Sequence, residues 1–362
     1  MPGSQTSEAS DATEADSALD RLRSQCAAEW PNIVAARSAA RDQTGKLRDL
    51  VSHLRPPSNT SVVGYGSLAR EEWTGASDVD WTLMIDGPSD INHCDCAKKI
   101  ESELRSASYV EPGRTGTFGS MSSSHELIHH IGGTEDTNIN LTRRVLLLLE
   151  SVSLSDSVTH ERVIRAILER YILSDPPATA SPKFRVPLFL LNDVVRLWRT
   201  FAVDYANKKW NRSNDKWALR NLKLRMSRKL LFAKGLLICL LCSERLAGAP
   251  TSSDPELVQV ELLDRCFALC RKTALELLAE TLLKFAERET AVLIFDAYDA
   301  FLGTLNEPEK RRRLETLAFE QSGDALFMEQ REKTRSFRGG LEKLFFGSNE
   351  ELAGLTRRYG VF

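Results

Sequence analysis

The sequence predicts an α+β protein in which a small mixed-sheet unit is followed by a long helical half. Three observations carry this. Short apolar runs bounded by Gly, Pro and Asp occur only before about residue 138. After Asn138, apolar residues recur at helical spacing almost to the end. A chain of 362 residues is also too long for one small core.

Taken in order, residues 1–17 are Ser, Ala, Asp and Glu with almost no large apolar side chain, the composition of a disordered tail. Ala18 to Leu54 has helical periodicity, stopped by Pro56-Pro57. Ser61 to Gly64 is expected as a buried strand and Val79 to Ile85 as a second, closed by the turn Asp86-Gly87-Pro88. Cys94 to Ala107 is expected as a helix, and Glu126 to Ile131 as a third strand before Gly132-Gly133. Helices are then expected over Leu141–Leu154, Val158–Leu173, Pro187–Lys208 and Trp217–Leu246, and over most of Glu256 to Leu344. This divides the chain into a tail at 1–17, an α/β unit at 18–154 and a helical domain at 155–362.

The net charge is −2, so the whole molecule is not a polycation built to grip nucleic acid. Positive charge is instead gathered locally. Lys216, Arg220, Lys223, Arg225, Arg228, Lys229 and Lys234 fall in one stretch without an acid. Lys310-Arg311-Arg312-Arg313 reads as a solvated helix face. The seven cysteines are scattered, and Cys239/Cys242 and Cys266/Cys270 lie at helical spacing in Leu-rich runs. Small core residues explain them better than zinc ligands. Reduced cysteines and the lack of an apolar N-terminal segment lead to the expectation of a cytoplasmic protein with no membrane segment.

One constellation carries chemistry: Gly64-Tyr65-Gly66-Ser67, a loop, then Ser77-Asp78-Val79-Asp80. Small residues after a strand let backbone approach a phosphate, and the Ser67 hydroxyl can donate to it. A new strand is expected to begin at Asp78-Val79-Asp80, where residues two apart share a side, so Asp78 and Asp80 project together. Paired carboxylates of this kind hold divalent cations for in-line attack on an α-phosphate.

The arrangement resembles the polymerase-β-like nucleotidyltransferase superfamily, whose signature is Gly-Ser followed about ten residues later by Asp-x-Asp. Its motif is most similar to the branch that uridylylates the PII signalling protein, with Ser67 where that branch has Arg. The resemblance implies a small mixed-sheet catalytic fold and Mg²⁺ (or Mn²⁺) as cofactor. It implies transfer of a nucleoside monophosphate from an NTP or dNTP to a nucleotide, oligonucleotide or protein acceptor. It also implies a third carboxylate, for which Glu126 is favoured over Asp136. A helical-domain Lys with a Ser four residues later is a superfamily device for the β- and γ-phosphates, here matched by Lys223 and Ser227. Arg196 and Arg199, three apart on one helix face, are further candidates for nucleotide binding.

Overall fold

A computed structural model of the chain describes residues 17–110, 112, 116–173, 183–211, 216–347 and 349–360. The expected tail, residues 1–16, lies outside them, and Ser17 is the N-cap of the first helix.

The helices α1 (Ala18–Cys26) and α2 (Pro31–Leu54) lead into β1 (Thr60–Tyr65). Then come β2 (Trp81–Ile85), α3 (Ile91–Ser106), β3 (Ser120–Ser123), α4 (Ser124–His129), α5 (Asn138–Leu149) and β4 (Ser151–Ser153). The helices α6 (Ser157–Leu173), α7 (Leu188–Asn211), α8 (Trp217–Arg225), α9 (Ser227–Leu241) and α10 (Glu244–Ala247) follow. The chain continues through α11 (Pro255–Arg271), α12 (Ala274–Phe285), α13 (Arg288–Asn306), α14 (Pro308–Thr316), α15 (Ala325–Phe346) and α16 (Glu350–Leu355).

The four strands form one mixed sheet in the order β3-β2-β1-β4. β1 pairs antiparallel with β2 and β4, and β2 pairs parallel with β3. Both faces are covered, which is why β1 and β2 read as apolar runs and not as alternating ones. Val62, Trp81 and Leu83 pack with Leu47, Val51, Ile100 and Leu104 of α2 and α3. Val63, Tyr65 and Met84 belong to the main core with the helical half. The residue parity that places Met84 on this second side also places Asp80 there, facing the helices.

Two sequence expectations are corrected. The segment from Glu126 is not a strand. The third strand lies earlier, at Ser120–Ser123, and Glu126 stands in the first turn of α4. The helix expected over Leu141–Leu154 ends at Leu149, and Ser151–Ser153 adds the edge strand β4 beside β1. The segment Trp217–Leu246 is helical but broken at Met226, whose φ −109° and ψ −88° lie outside the α-helical region.

The helical half does not stand apart from the sheet unit. The Ala18 amide donates to Glu276 Oε1 (2.5 Å), and Trp30 stacks on Phe295 with centroids 4.7 Å apart. No helix among the described residues is long and apolar enough to cross a membrane. Cys239, Cys242, Cys266 and Cys270 are buried between α9 and α11, and among the described residues no cluster of His, Cys, Asp or Glu forms a ready metal cage.

Candidate active site

The site begins where β1 ends. Gly66 has φ +68°, a left-handed conformation that L side chains rarely adopt. It also lies against Asp80, because a Cβ at this position would stand 3.0 Å from Asp80 Oδ2. The chain then makes a helical turn: the Arg70 amide donates to the Gly66 carbonyl (3.0 Å) and the Glu72 amide to the Ser67 carbonyl (2.8 Å). The Ser67 hydroxyl is half-buried and makes no hydrogen bond among the described residues.

Asp78 and Asp80 approach the same region from the other strand. They precede β2 on extended backbone rather than lying within it. Asp78 forms an isolated bridge with Val110, and the Tyr65 amide donates to the Asp80 carbonyl (2.8 Å). Their carboxylates accept no hydrogen bond among the described residues. Burial pushes the Asp80 carboxyl up to about 7, and the neighbouring charges of Asp78 and Glu150 push in the same direction. Arg70 and Lys223 oppose that shift but do not cancel it.

The helical half supplies cations. Lys223 of α8 faces Asp78, and burial lowers its affinity for the proton against the pull of that carboxylate. Burial lowers the pKa of Arg228 of α9 against the charges of Asp204, Glu150 and Asp80, and its guanidinium lies over the Phe201 ring, 5.0 Å from the centroid. Neither has a hydrogen bond or a direct ion pair among the described residues. They influence the carboxylates from beyond ion-pair distance. Met226, where the helix breaks, separates Lys223 at the end of α8 from Arg228 at the start of α9.

A closed network lies beneath. Arg70 donates to Glu72 Oε2 (2.9 Å) and pairs with Glu150. Tyr298 Oη donates to Glu72 Oε1 (2.6 Å). From α14, Arg311 donates to the Ala76 carbonyl (2.8 Å), anchoring the loop that leads to Asp78. The run Lys310–Arg313 is therefore only in part a solvated face.

The structure brings together Gly66, Ser67, Asp78, Asp80 and Lys223. It does not bring in the others. Glu126 is exposed on α4, where its charge is felt by Arg143 and not by Asp80. Asp136 is committed to a buried bidentate pair with Arg144 at 2.9 and 3.0 Å. Arg196 is held in the same network by Asp136 (3.3 Å) and Asp193 (2.9 Å). Arg199 is exposed and makes no polar contact among the described residues. Ser227 is buried at the start of α9, beside Tyr298 and not among the groups that face Asp80.

Two residues were missed in the sequence, Arg70 and Glu150, and Arg228 was named only as part of the basic stretch. Glu150 had a signal, an acid directly after the aliphatic run Val145–Leu149, where a charge is costly unless something receives it. Arg70 carried none, since its partners are distant in the chain. No protein-family model matches this chain, and no curated protein matches it.

Proposed function

We propose that the chain is a metal-dependent nucleotidyltransferase that moves a nucleoside monophosphate from an NTP or dNTP to an acceptor hydroxyl. The observation that supports this best is the set of unspent groups around Gly66. Two carboxylates, a hydroxyl and two half-buried cations face one another without bonding one another. A purely structural cluster would have closed into ion pairs, as Arg144 and Asp136 do.

The residues fit a divalent cation. Mg²⁺ is commonly held by one or two carboxylates with substrate phosphates completing its shell, so a full protein cage is not required. Asp78 and Asp80 would hold it, and the like-charge conflict at Asp80 is the strain that a cation relieves. Bound there, it would neutralise phosphate charge and favour attack at the α-phosphorus.

The chain's own groups do the rest. Gly66 lets phosphate approach the backbone, and Ser67 donates a hydrogen bond to it. Lys223 and Arg228 attract the remaining anionic charge from the opposite wall. Arg70 neutralises Glu150 in part and holds it near Asp80. The cations Lys223 and Arg228 suit an anionic acceptor, so a nucleotide or oligonucleotide is the acceptor we favour. The test is incubation with each α-labelled NTP and dNTP in Mg²⁺ or Mn²⁺, with products resolved by chromatography and mass spectrometry. A nucleotide product that disappears in Asp78→Ala and Asp80→Ala is expected. Equal turnover in the variants would remove the assignment. Transfer that appears only when a protein partner is added, and labels that partner, would replace the acceptor.

A further inference from the structure

A polar cavity lies apart from Asp78, Asp80 and Lys223. It has a volume of about 300 Å³ and is walled by α2, the loop after Gly66, β4, α6 and the junction of α11 with α12. None of the candidate catalytic residues lines it. Its charge is one-sided. Arg41, Arg48 and Arg271 line it against a single acid, Glu71. That acid is already divided, with Oε2 2.8 Å from Arg37 and Oε1 3.1 Å from Arg41.

Arg48 is the least satisfied of the three. Its Nε donates to the Ser153 carbonyl (3.1 Å), and its terminal nitrogens have no partner among the described residues. Among the described residues Arg271 pairs with Glu161 alone, at 3.3 Å, in a pair that is about two-fifths exposed on each side. Such a pair is weak and easily exchanged for a better anion.

His160 adds an independent feature. It is fully buried and lines the cavity. The Ser151 hydroxyl spends its one proton on the Leu147 carbonyl (2.6 Å). The 2.8 Å contact between Ser151 Oγ and His160 Nε2 must therefore be donated by the imidazole. That fixes the tautomer and leaves Nδ1 as a bare acceptor, which is buried without a donor. An unpaired buried acceptor of this kind calls for a donor that the chain does not supply.

We propose that this cavity binds a phosphate-bearing metabolite no larger than a mononucleotide, with Arg48 and Arg271 holding the phosphate. Guanidinium forks match phosphate geometry, and the volume stands at the lower end for small-molecule sites, which excludes an oligonucleotide. Because Glu150 directly precedes Ser151 and Arg70 directly follows Ala69, occupancy would be felt through β4 and the loop at the catalytic side.

The experiment is calorimetric titration of the full-length Asp78→Asn/Asp80→Asn double variant in EDTA with inorganic phosphate, pyrophosphate and AMP. Removing the carboxylates and the metal separates this site from the proposed reaction, so failure of either reading is visible without the other. Saturable binding of at least one probe is expected, weakened at least about tenfold by Arg48→Gln and by Arg271→Gln, each of which removes a phosphate fork. Preference for AMP identifies a nucleotide, and equal affinity for phosphate identifies the small anion. Both substitutions are at exposed side chains, and an unchanged melting temperature shows that the fold is kept. Binding that neither substitution weakens, or no saturation by any probe below roughly 10 mM, overturns the proposal.

Discussion

Asp80 shows how a single buried carboxylate couples the chemistry to stability. Its folded-state pKa of about 7 lies above the ordinary 3.8, so the folded protein holds this proton more tightly than the unfolded chain does. Stability therefore falls as pH rises from about 4 to about 7, and the full penalty remains above that. About 1.4 kcal/mol per pH unit makes the penalty on the order of a few kcal/mol. Asp80→Asn should raise the melting temperature at pH 8 in EDTA and leave it nearly unchanged at pH 4. Mg²⁺ should raise the melting temperature of the unaltered protein at pH 8 and do less for the variant. A difference between the two proteins that is constant with pH would contradict the raised pKa of Asp80. The third carboxylate is tested in the same frame. Glu150→Gln should lower turnover by at least about tenfold through the lost charge beside Asp80, whereas Glu126→Gln should stay within about twofold. The reverse order would return Glu126 to the site.

At the scale of elements, the legible parts were those with strong local chemistry. Gly64–Ser67 and Ser77–Asp80 announced a strand end and an extended pair, and the structure places both beside one another. β4 was hidden because three strand residues follow directly on the Leu-rich α5, and helical periodicity does not register so short a change of state. The segment from Glu126 misled because Leu127, Ile128 and Ile131 fit either a short strand or a helical turn. The helical reading of Trp217–Leu246 was sound, yet no Pro or Gly marks the break at Met226. Lys223 on α8 should act as a phosphate contact, so Lys223→Ala should raise KM for the nucleotide at least about tenfold in steady-state kinetics. Unchanged KM would make it a structural cation. At the end of β1, Gly66→Ala combines a left-handed φ with a 3.0 Å approach to Asp80 Oδ2. It should cost roughly 1–2 kcal/mol in chemical denaturation and suppress turnover, because relief of the clash must move the carboxylate.

Across the whole molecule, the boundary that the sequence suggested at residue 154 is crossed by the first two helices. Leu19, Leu22, Trp30 and Ile33 are buried in the same core as Leu278, Phe295 and Tyr298 of α12 and α13. The crossing is polar as well as apolar. Trp30, the N-cap of α2, offers no capping side chain, and the amides of Asn32 and Ile33 donate instead to Asp299 Oδ1 of α13 at 2.8 and 3.0 Å. A helix N-terminus left without such an acceptor holds several unsatisfied amides. No local sequence pattern announces a cap supplied from that distance, which is why a clean division at 154 was expected. A fragment of residues 18–154 would therefore expose an apolar stripe and lose the cap of its longest helix together. It should show no cooperative thermal transition by circular dichroism, whereas the full chain should melt in one. Asp299→Ala in the full chain isolates the polar part, and its loss should cost about 1–2 kcal/mol in denaturant unfolding, the usual worth of an N-cap. A fragment that unfolds with a steep, two-state transition would show that the α/β unit is an independent domain and that these contacts only dock it.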